Sequence, residues 1–92
     1  MKYFDWDKEK NQRLKTERDI CFEDIIGILE DKQFLDLVDH PNRNKYPNQQ
    51  MFVIVWNEYV YLIPFVEDKE KYFLKTIIPS RKATKQYLEK KK

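Results

Sequence analysis

The sequence predicts an α+β domain, with an antiparallel sheet of about four strands, two N-terminal helices and one C-terminal helix. Three observations support this fold class: helical periodicity near the N-terminus, apolar segments separated by short polar turns, and a C-terminal segment that again has the pattern of a helix. Successive strands joined by short turns favour antiparallel pairing, and we expect the helices to cover one side of the sheet.

The composition fits one folded domain. With 92 residues the chain has room for a single domain, residues 1–92, around a small core. Hydrophobic residues make up 41% and aromatic residues 15% of the sequence, whereas disordered chains are poor in aromatic residues. There is no signal peptide and no apolar run near the roughly 18 residues that a membrane span needs, so we expect a cytoplasmic protein without membrane contact.

A short aromatic strand and a surface helix are predicted at the N-terminus. Residues 1–7 carry the rings of a strand, and Asp7 at its end suits the N-cap position of a helix. That helix covers residues 8–17. We expect it to lie on the surface because Leu14 is its main apolar residue.

A second helix follows at residues 22–31. Its apolar residues recur at helical spacing and form one stripe for burial, which contains Phe22, Ile25, Ile26 and Leu29. Either Asp19 or Cys21 would begin this helix, and we expect Asp19 to contribute to the cap because cysteine is a poor capping residue. Cys21 itself is interpreted as a small buried apolar residue.

Strand candidates fill the middle of the chain. A short one at residues 34–38 precedes a polar loop, residues 39–49, which is long for a domain of this size. Residues 51–56 are apolar throughout, which is typical of a central strand buried on both faces. Asn57 and Glu58 can turn this strand into a hairpin.

Two longer strands complete the predicted sheet. The strand at residues 59–66 contains Pro64, which predicts a bulge or a locally unpaired edge because proline has no amide proton. Residues 71–78 are expected to form the last long strand. Alternate residues of a strand face the same side of the sheet, so each of these strands is expected to carry a stripe of side chains on one face. We interpret the two stripes as part of the core or of a partner interface rather than as surfaces for base stacking. The stripes contain Tyr59, Tyr61 and Phe65 on one strand, and Phe73, Lys75 and Ile77 on the other.

The C-terminal segment changes from strand to helix at Pro79. Ser80 is the natural N-cap of the helix, with Ala83 and Tyr87 pointing toward the sheet. The opposite face is basic and contains, within about 40° of one another at about 100° per residue, Arg81, Lys85 and Lys92, with Lys82 on the flank.

This basic helix start has two interpretations. The first-turn amides and the helix dipole favour an anion there, and the guanidinium group of Arg81 suits bidentate phosphate contact. The alternative is a solvated face on an amphipathic helix. The charge distribution is compatible with both interpretations. The net charge is only +2, but the charged residues are unevenly distributed. Those in residues 75–92 are all basic except Glu89, and those in residues 17–39 are all acidic except Arg18 and Lys32.

Several classes of site are excluded by residue counts. One cysteine, Cys21, permits no internal disulfide, and there is no Cys/His cluster for zinc. Gly27 is the only glycine, which excludes a glycine-rich phosphate loop. We therefore expect no cofactor and no metal.

The polar loop carries residues that could bind phosphate, stack on bases or transfer a proton: His40, Arg43, Lys45 and Tyr46. His40 is the only histidine, and a lone surface histidine often has no catalytic role. If this chain cuts nucleic acid without a metal, the substrate is RNA, because its 2′-hydroxyl supplies the nucleophile. The protein then needs only to orient that group, stabilise the charge on phosphorus and protonate the leaving oxygen.

Three stretches, in order and across nearly the whole chain, resemble the BrnT family of bacterial toxins. They are FDWDKEK, ICFEDIIGILED and IIPSRKATKQYLE. The resemblance implies a RelE-like α+β fold, ribonuclease activity that inhibits translation, and neutralisation by a ribbon-helix-helix antitoxin in a hetero-oligomer. Arg81 and Lys82 match the Arg-Lys of the family's terminal motif. Glu17 and Arg18 stand where the family usually has Lys-His, so Arg18 can supply charge but not a general base.

The leading hypothesis is therefore a metal-independent ribonuclease toxin of a type II toxin–antitoxin system. Arg81 would hold the scissile phosphate and Lys82 would add positive potential, with His40 or Tyr87 as the proton donor. RNA would be positioned by Arg18, Arg43, Lys75 and Lys85. The alternative is a non-enzymatic module that binds nucleic acid or protein through the same basic helix.

Overall fold

Strands and helices cover most of the chain that the computed structural model describes, which is residues 2–88 except 43, 46 and 48. The strands are β1 (Tyr3–Trp6), β2 (Asp36–Asp39), β3 (Gln50–Trp56), β4 (Tyr59–Glu67), β5 (Lys71–Leu74) and β6 (Ile78–Pro79). The helices are α1 (Lys8–Arg18), α2 (Phe22–Glu30) and α3 (Arg81–Leu88). The predicted α+β fold class is confirmed.

The sheet is six-stranded and mixed, so the prediction of an antiparallel sheet of about four strands was wrong in both respects. Its order is β1-β5-β4-β3-β2, and β6 pairs with β4 beyond the end of β5. The antiparallel pairs are those predicted from hairpins, but β1 runs parallel to β5, with Tyr3 opposite Lys71 and Trp6 opposite Leu74. Turn residues indicate pairing only between neighbours in sequence, so they carried no information on β1.

Helices pack on both faces of the sheet, which corrects the predicted one-sided arrangement. The face under α1 and α2 holds the larger cluster, which includes Leu14, Phe22, Ile25, Phe52, Ile54, Ile63, Phe65 and Leu74. The opposite face holds Val53 and Val60, which pack against Ala83 of α3. Because β3 is apolar on both faces, both must be covered, and α3 supplies the second layer.

The start of α1 and its position agree with the sequence. The Asp7 carboxylate caps the helix by accepting from the amides of Glu9 at 2.8 Å and Lys10 at 3.4 Å. Leu14 is the buried residue of this helix. The helix lies on the surface because only this one position can contribute to the core.

The stripe predicted on α2 is confirmed, and of the two predicted cap candidates Cys21 is the N-cap, without the contribution expected from Asp19. Asp19 ends α1 instead, in the left-handed conformation with φ of 56°. The N-cap is Cys21, whose amide donates to the Asp24 carboxylate at 3.1 Å, while the Asn11 side chain of α1 accepts from the Phe22 amide at 2.7 Å. Neighbouring side chains thus supply hydrogen bonds at this helix start. Cys21 is buried as expected, and burial raises the pKa of its thiol.

The predicted hairpin between β3 and β4 is confirmed. Asn57 and Glu58 have φ of 56° and 65°, the left-handed conformation that a two-residue turn of this kind requires at both central positions.

The predicted last long strand is divided into β5 and β6 by a bulge. Between the pairs Phe65–Leu74 and Leu62–Ile78, β4 contributes two residues, whereas the other strand contributes three, residues 75–77. The extra residue lies opposite Pro64, as the missing amide proton predicted, although it belongs to the neighbouring strand.

The bulge also reverses the facing of the residues that follow it. Ile77 joins Leu74 in the larger cluster under α1 and α2, while Phe73 lies on the opposite face. The prediction that Phe73 and Ile77 share one stripe was therefore wrong.

Within the described residues, no helix is long and apolar enough to cross a bilayer.

Candidate nucleic-acid interface

The bulge before β6 contacts the end of α1. Arg18 is the last residue of α1, and its Nη1 donates to the main-chain carbonyl of Ile77 at 2.8 Å. A carbonyl in the bulge is available because local ladder pairing is interrupted there. Since Ile77 precedes Arg81 by only four residues, this bond places a guanidinium group beside the segment that leads into α3.

The start of α3 is fixed by a set of hydrogen bonds to the sheet. Ser80 is the N-cap, as predicted, and its hydroxyl accepts from the Ala83 amide at 3.1 Å. The Ser80 amide donates to the Val60 carbonyl at 3.0 Å, and the buried Thr84 hydroxyl accepts from the Val60 amide at 3.0 Å. The first turn of α3, where helix amides have no partner within the helix, is therefore held at a defined place on β4.

Three cations project from α3 into solvent. Arg81, Lys82 and Lys85 are exposed, while Ala83 and Tyr87 pack against the sheet, which confirms the predicted division of this helix into two faces. Lys75, in the bulge, is also exposed. Lys92 and the other tail lysines lie outside the described residues.

Tyr87 makes a contact that the sequence did not indicate. Its hydroxyl donates to the Asp36 carboxylate of β2 at 2.9 Å. This hydrogen bond raises the pKa of Tyr87, with smaller contributions from burial and from the Asp36 charge. A phenol that donates to a carboxylate holds its proton more tightly, which makes it a weaker acid than a free tyrosine.

His40 lies just past β2. Its amide donates to the Gln49 carbonyl at 3.0 Å, and its Nδ1 accepts from the Asn42 amide at 3.1 Å. An accepting Nδ1 places the proton of the neutral ring on Nε2. Arg43, the other residue of this loop that we predicted to contact RNA, lies outside the described residues.

These contacts separate the predicted site residues into two groups. Ser80 is bonded to β4 and Tyr87 to β2, so α3 crosses the sheet from β4 over β3 to β2. Arg81 and Tyr87 lie about 9 Å apart along the helix axis. The structure thus places Arg81 and Lys82 at the β4 end of α3 and leaves Tyr87 and His40 on the β2 side. Arg18 contacts the bulge from the end of α1, which packs on the other face of the sheet.

Two aromatic residues near the cations were not predicted to take part in a site. Tyr61 of β4 pairs with Pro79, two residues before Arg81, and burial raises the pKa of its hydroxyl. Phe73 lies between Lys71 and Lys75, whose Nζ atoms are 5.6 and 5.7 Å from its ring centroid. Strand alternation could have indicated the Phe73 group, whereas Tyr61 depends on the β4–β6 register, which the sequence does not specify.

A separate apolar groove of about 470 Å³ lies between the sheet and the end of α2. Its lining includes Phe4, Leu29, Phe34, Phe52, Phe65 and Tyr72. Charged residues, among them the ion pair between Lys2 and Glu67, lie along its rim. The groove is on the α1–α2 face and does not include the cations of α3.

The described side chains contain no group of three or more His, Cys, Asp or Glu arranged to hold a metal ion. Comparison of the chain with known proteins found no matching family model, no matching curated protein and no matching solved structure.

Proposed function

We propose that this chain is a metal-independent ribonuclease of the BrnT type, which acts in the cytoplasm as the toxin of a type II toxin–antitoxin system. The observation that carries the proposal is the bond from Arg18 to the Ile77 carbonyl, beside the segment that leads to Arg81. It orients one guanidinium group at the strand segment that leads, four residues later, to the guanidinium group of Arg81. The match of the SRKAT segment to the family's terminal motif supports the same assignment.

This cation group suits a phosphodiester that develops negative charge. Arg81 holds the scissile phosphate through two parallel N–H donors, and Lys82 adds positive potential from the same turn. Arg18 is oriented by one donor to Ile77 and has further N–H groups for RNA. Positive charge placed in advance stabilises the transition state without reorganisation.

The reaction transfers the phosphate within the RNA. The 2′-oxygen attacks phosphorus and loses its proton to a base, while the bond from phosphorus to the 5′-oxygen breaks and that oxygen gains a proton. The products are a 2′,3′-cyclic phosphate and a free 5′-hydroxyl. His40 and Tyr87 were the predicted proton donors, but His40 follows β2 at the end of the sheet opposite the start of α3, and the phenol of Tyr87 is bonded to Asp36. We therefore assign neither of them to the proton transfers at the phosphate held by Arg81.

Cleavage in the presence of EDTA tests this proposal. Purified chain is incubated with a labelled single-stranded RNA, and the products are examined for a cyclic phosphate. Arg81→Ala should abolish most of the activity. Arg13→Ala is the matched control, because Arg13 is an exposed arginine on α1 to which no role in the site is assigned. Loss of activity in both variants to the same extent would indicate a diffuse basic surface instead.

A non-enzymatic binding module is the second candidate function, and the apolar groove under α2 favours it. A concave surface lined by aromatic side chains can accept an apolar side chain of a partner protein. RNA bound but left intact by the chain, under conditions in which a known ribonuclease cuts it, would support the module and refute the enzyme.

The proposed function includes a ribbon-helix-helix antitoxin as partner in a hetero-oligomer. An antitoxin segment that is both acidic and apolar would complement the cations of α3 and cover partly exposed aromatic residues. Co-expression with such a neighbour-encoded protein should increase the yield of soluble chain and suppress RNA cleavage. A neighbour that leaves both unchanged is not the antitoxin.

A further inference from the structure

Phe73 of β5, on the sheet face opposite α1 and α2, has two ammonium groups near its ring. The Nζ atoms of Lys71 and Lys75 are 5.6 and 5.7 Å from the centre of its ring. We propose that these three residues form a platform on which one base of a single-stranded RNA stacks, with the lysines at the adjacent phosphates. This inference rests on the proposed function, and it adds a binding site for the substrate outside the cleavage site.

The ring is accessible because α3 leads away from it. The helix starts at Val60 of β4 and ends near Asp36 of β2, so β5 and β1 lie on the side of β4 that α3 does not cross. Phe73 is partly exposed, and its cross-strand neighbours are Asp5 and Val66. The ring thus stands on an open part of the sheet, unlike Phe52 and Phe65 in the core.

The charges around the ring fit a nucleic acid. Lys71 is paired with Asp5 at 3.0 Å, which raises the pKa of Lys71 and fixes its position beside the ring. Among the described residues Lys75 forms no ion pair, so it can turn from the ring to a phosphate. Contact between an exposed ammonium and a ring is weaker than base stacking, so an arriving base can displace Lys75 toward the RNA backbone while Lys71 stays paired with Asp5.

The platform is continuous with the candidate cleavage site. The Lys75 amide donates to the Pro64 carbonyl at 2.7 Å, and four residues along β4 the Val60 carbonyl accepts from Ser80, which caps α3. Four residues of strand correspond to about 13 Å. A strand of RNA with one base on Phe73 can therefore follow β4 toward Arg81, with its phosphates facing Lys75 and Arg81.

Binding of an RNA analogue that cannot be cut tests the platform independently of cleavage. A labelled 2′-O-methyl oligonucleotide of mixed sequence, without self-complementarity, is titrated with the full chain and followed by fluorescence anisotropy. Phe73→Leu keeps an apolar side chain but removes the ring face, and it should raise Kd at least about fivefold. Phe73→Trp keeps a ring face and should bind as tightly as the native chain.

Two further measurements test the platform: the salt dependence of binding in a Lys75 variant, and the affinity for a double-stranded probe. Lys75→Gln should reduce the slope of log Kd against log salt by about 0.7, whereas Phe73→Leu should leave the slope unchanged. The same oligonucleotide in a duplex should bind more weakly, because its bases are already stacked. Thermal unfolding of each variant confirms that the fold is retained.

Native affinity in Phe73→Leu, equal affinity for duplex and single strand, or no binding by the native chain would each overturn the platform. Failure of the platform can be distinguished from failure of the proposed ribonuclease function. Binding through Phe73 without cleavage of ordinary RNA would keep the platform and refute the enzyme. Cleavage of ordinary RNA by the native chain, together with native affinity of Phe73→Leu for the oligonucleotide, would support the enzyme and refute the platform.

Discussion

Thr84 of α3 and Val60 of β4 are joined by a hydrogen bond in which the Val60 amide donates to the Thr84 hydroxyl at 3.0 Å. The Val60 carbonyl accepts from the Ser80 amide. In a regular ladder the Val60 amide would bond the Ser80 carbonyl, but that carbonyl already accepts from the Thr84 amide at 3.0 Å and the Thr84 hydroxyl at 2.7 Å. Thr84 therefore replaces one bond of the ladder and sets the point where the helix leaves the sheet.

Replacing Thr84 by valine should destabilise the protein by about 1–3 kcal/mol, because the buried Val60 amide loses its acceptor without a change in side-chain shape. The free energy of unfolding in urea measures this effect. Thr84→Ser keeps the hydroxyl and should retain most of the stability. A larger loss in Thr84→Ser than in Thr84→Val would mean that the methyl group, and not the hydrogen bond, is what matters.

Acid should weaken the protein partly through Asp5. The hydrogen bond from Lys71 lowers the pKa of this carboxyl, and the Trp6 amide adds to the effect. A lowered folded-state pKa contributes stability above the unfolded pKa of about 3.9, and this contribution is lost as pH falls through the folded value. Asp5→Asn should therefore make the unfolding free energy less dependent on pH below about 4.

Urea unfolding of both proteins at pH values on either side of that range measures the difference. Asparagine keeps an oxygen for the Trp6 amide, but it removes the charge and, with the second carboxylate oxygen, the acceptor of the Lys71 hydrogen bond. Asp68 and Glu23, whose carboxyl pKa values are also lowered, are present in both proteins and cancel in the comparison. Parallel curves for native and variant protein would show that Asp5 is not linked to folding.

The sequence was informative wherever one segment could be judged alone. Asp7, Ser80, the α2 stripe and the Asn57–Glu58 turn act within a few residues, and each was predicted correctly. Prediction from the sequence failed for contacts between segments that are far apart along the chain. The parallel pairing of β1 with β5 and the placement of α3 on the second face depend on contacts that no local pattern specifies.

The candidate site shows the same division. Exposure of Arg81, Lys82 and Lys85 follows from helix periodicity, so it was predictable. The bond from Arg18 to Ile77 joins residues far apart in sequence through a carbonyl that only the bulge makes available. Pro64 did indicate a bulge, but it could not indicate which strand would carry the extra residue or that Ile77 would turn into the core.

Gly27 occupies a helix position where a side chain can be accommodated. It lies on the exposed side of α2, and a Cβ atom added there would meet no other atom within 4 Å. Gly27→Ala should therefore raise the free energy of unfolding by about 0.8–1 kcal/mol, the difference in helix propensity. Urea unfolding checks this, and a loss of stability would mean that α2 needs the flexibility of glycine.

Glu58 presents the opposite case, a side chain where glycine fits better. Its φ of 65° is unfavourable for a residue with a Cβ atom, and Asn-Gly is the preferred pair for a turn of this type. Glu58→Gly should stabilise the hairpin by about 0.5–1 kcal/mol, since relief of strain exceeds the added entropy of the unfolded chain. Glu58→Ala removes the charge but keeps the Cβ atom, so it should not stabilise. The urea midpoints of the two variants decide between charge and backbone.

The last prediction separates a phosphate clamp from a solvated basic face at the start of α3. If Arg81 holds the scissile phosphate through two donors, lysine cannot replace it, because an ammonium is a point charge without a planar fork. Arg81→Lys should then reduce the rate of RNA cleavage at least about tenfold, equivalent to about 1.4 kcal/mol of transition-state stabilisation. Single-turnover cleavage with excess protein measures this rate.

Lys85→Arg is the matched control, because it exchanges the same two side chains in the opposite direction at an exposed position on the same helix. It should leave the cleavage rate unchanged. Arg18→Lys should lower the rate less than Arg81→Lys does, since Arg18 is bonded to Ile77 and acts on RNA from the side. The free energy of unfolding should change little in Arg81→Lys because its side chain is exposed. If Arg81→Lys and Lys85→Arg both cut RNA at the native rate, the cations of α3 are interchangeable and the clamp does not exist.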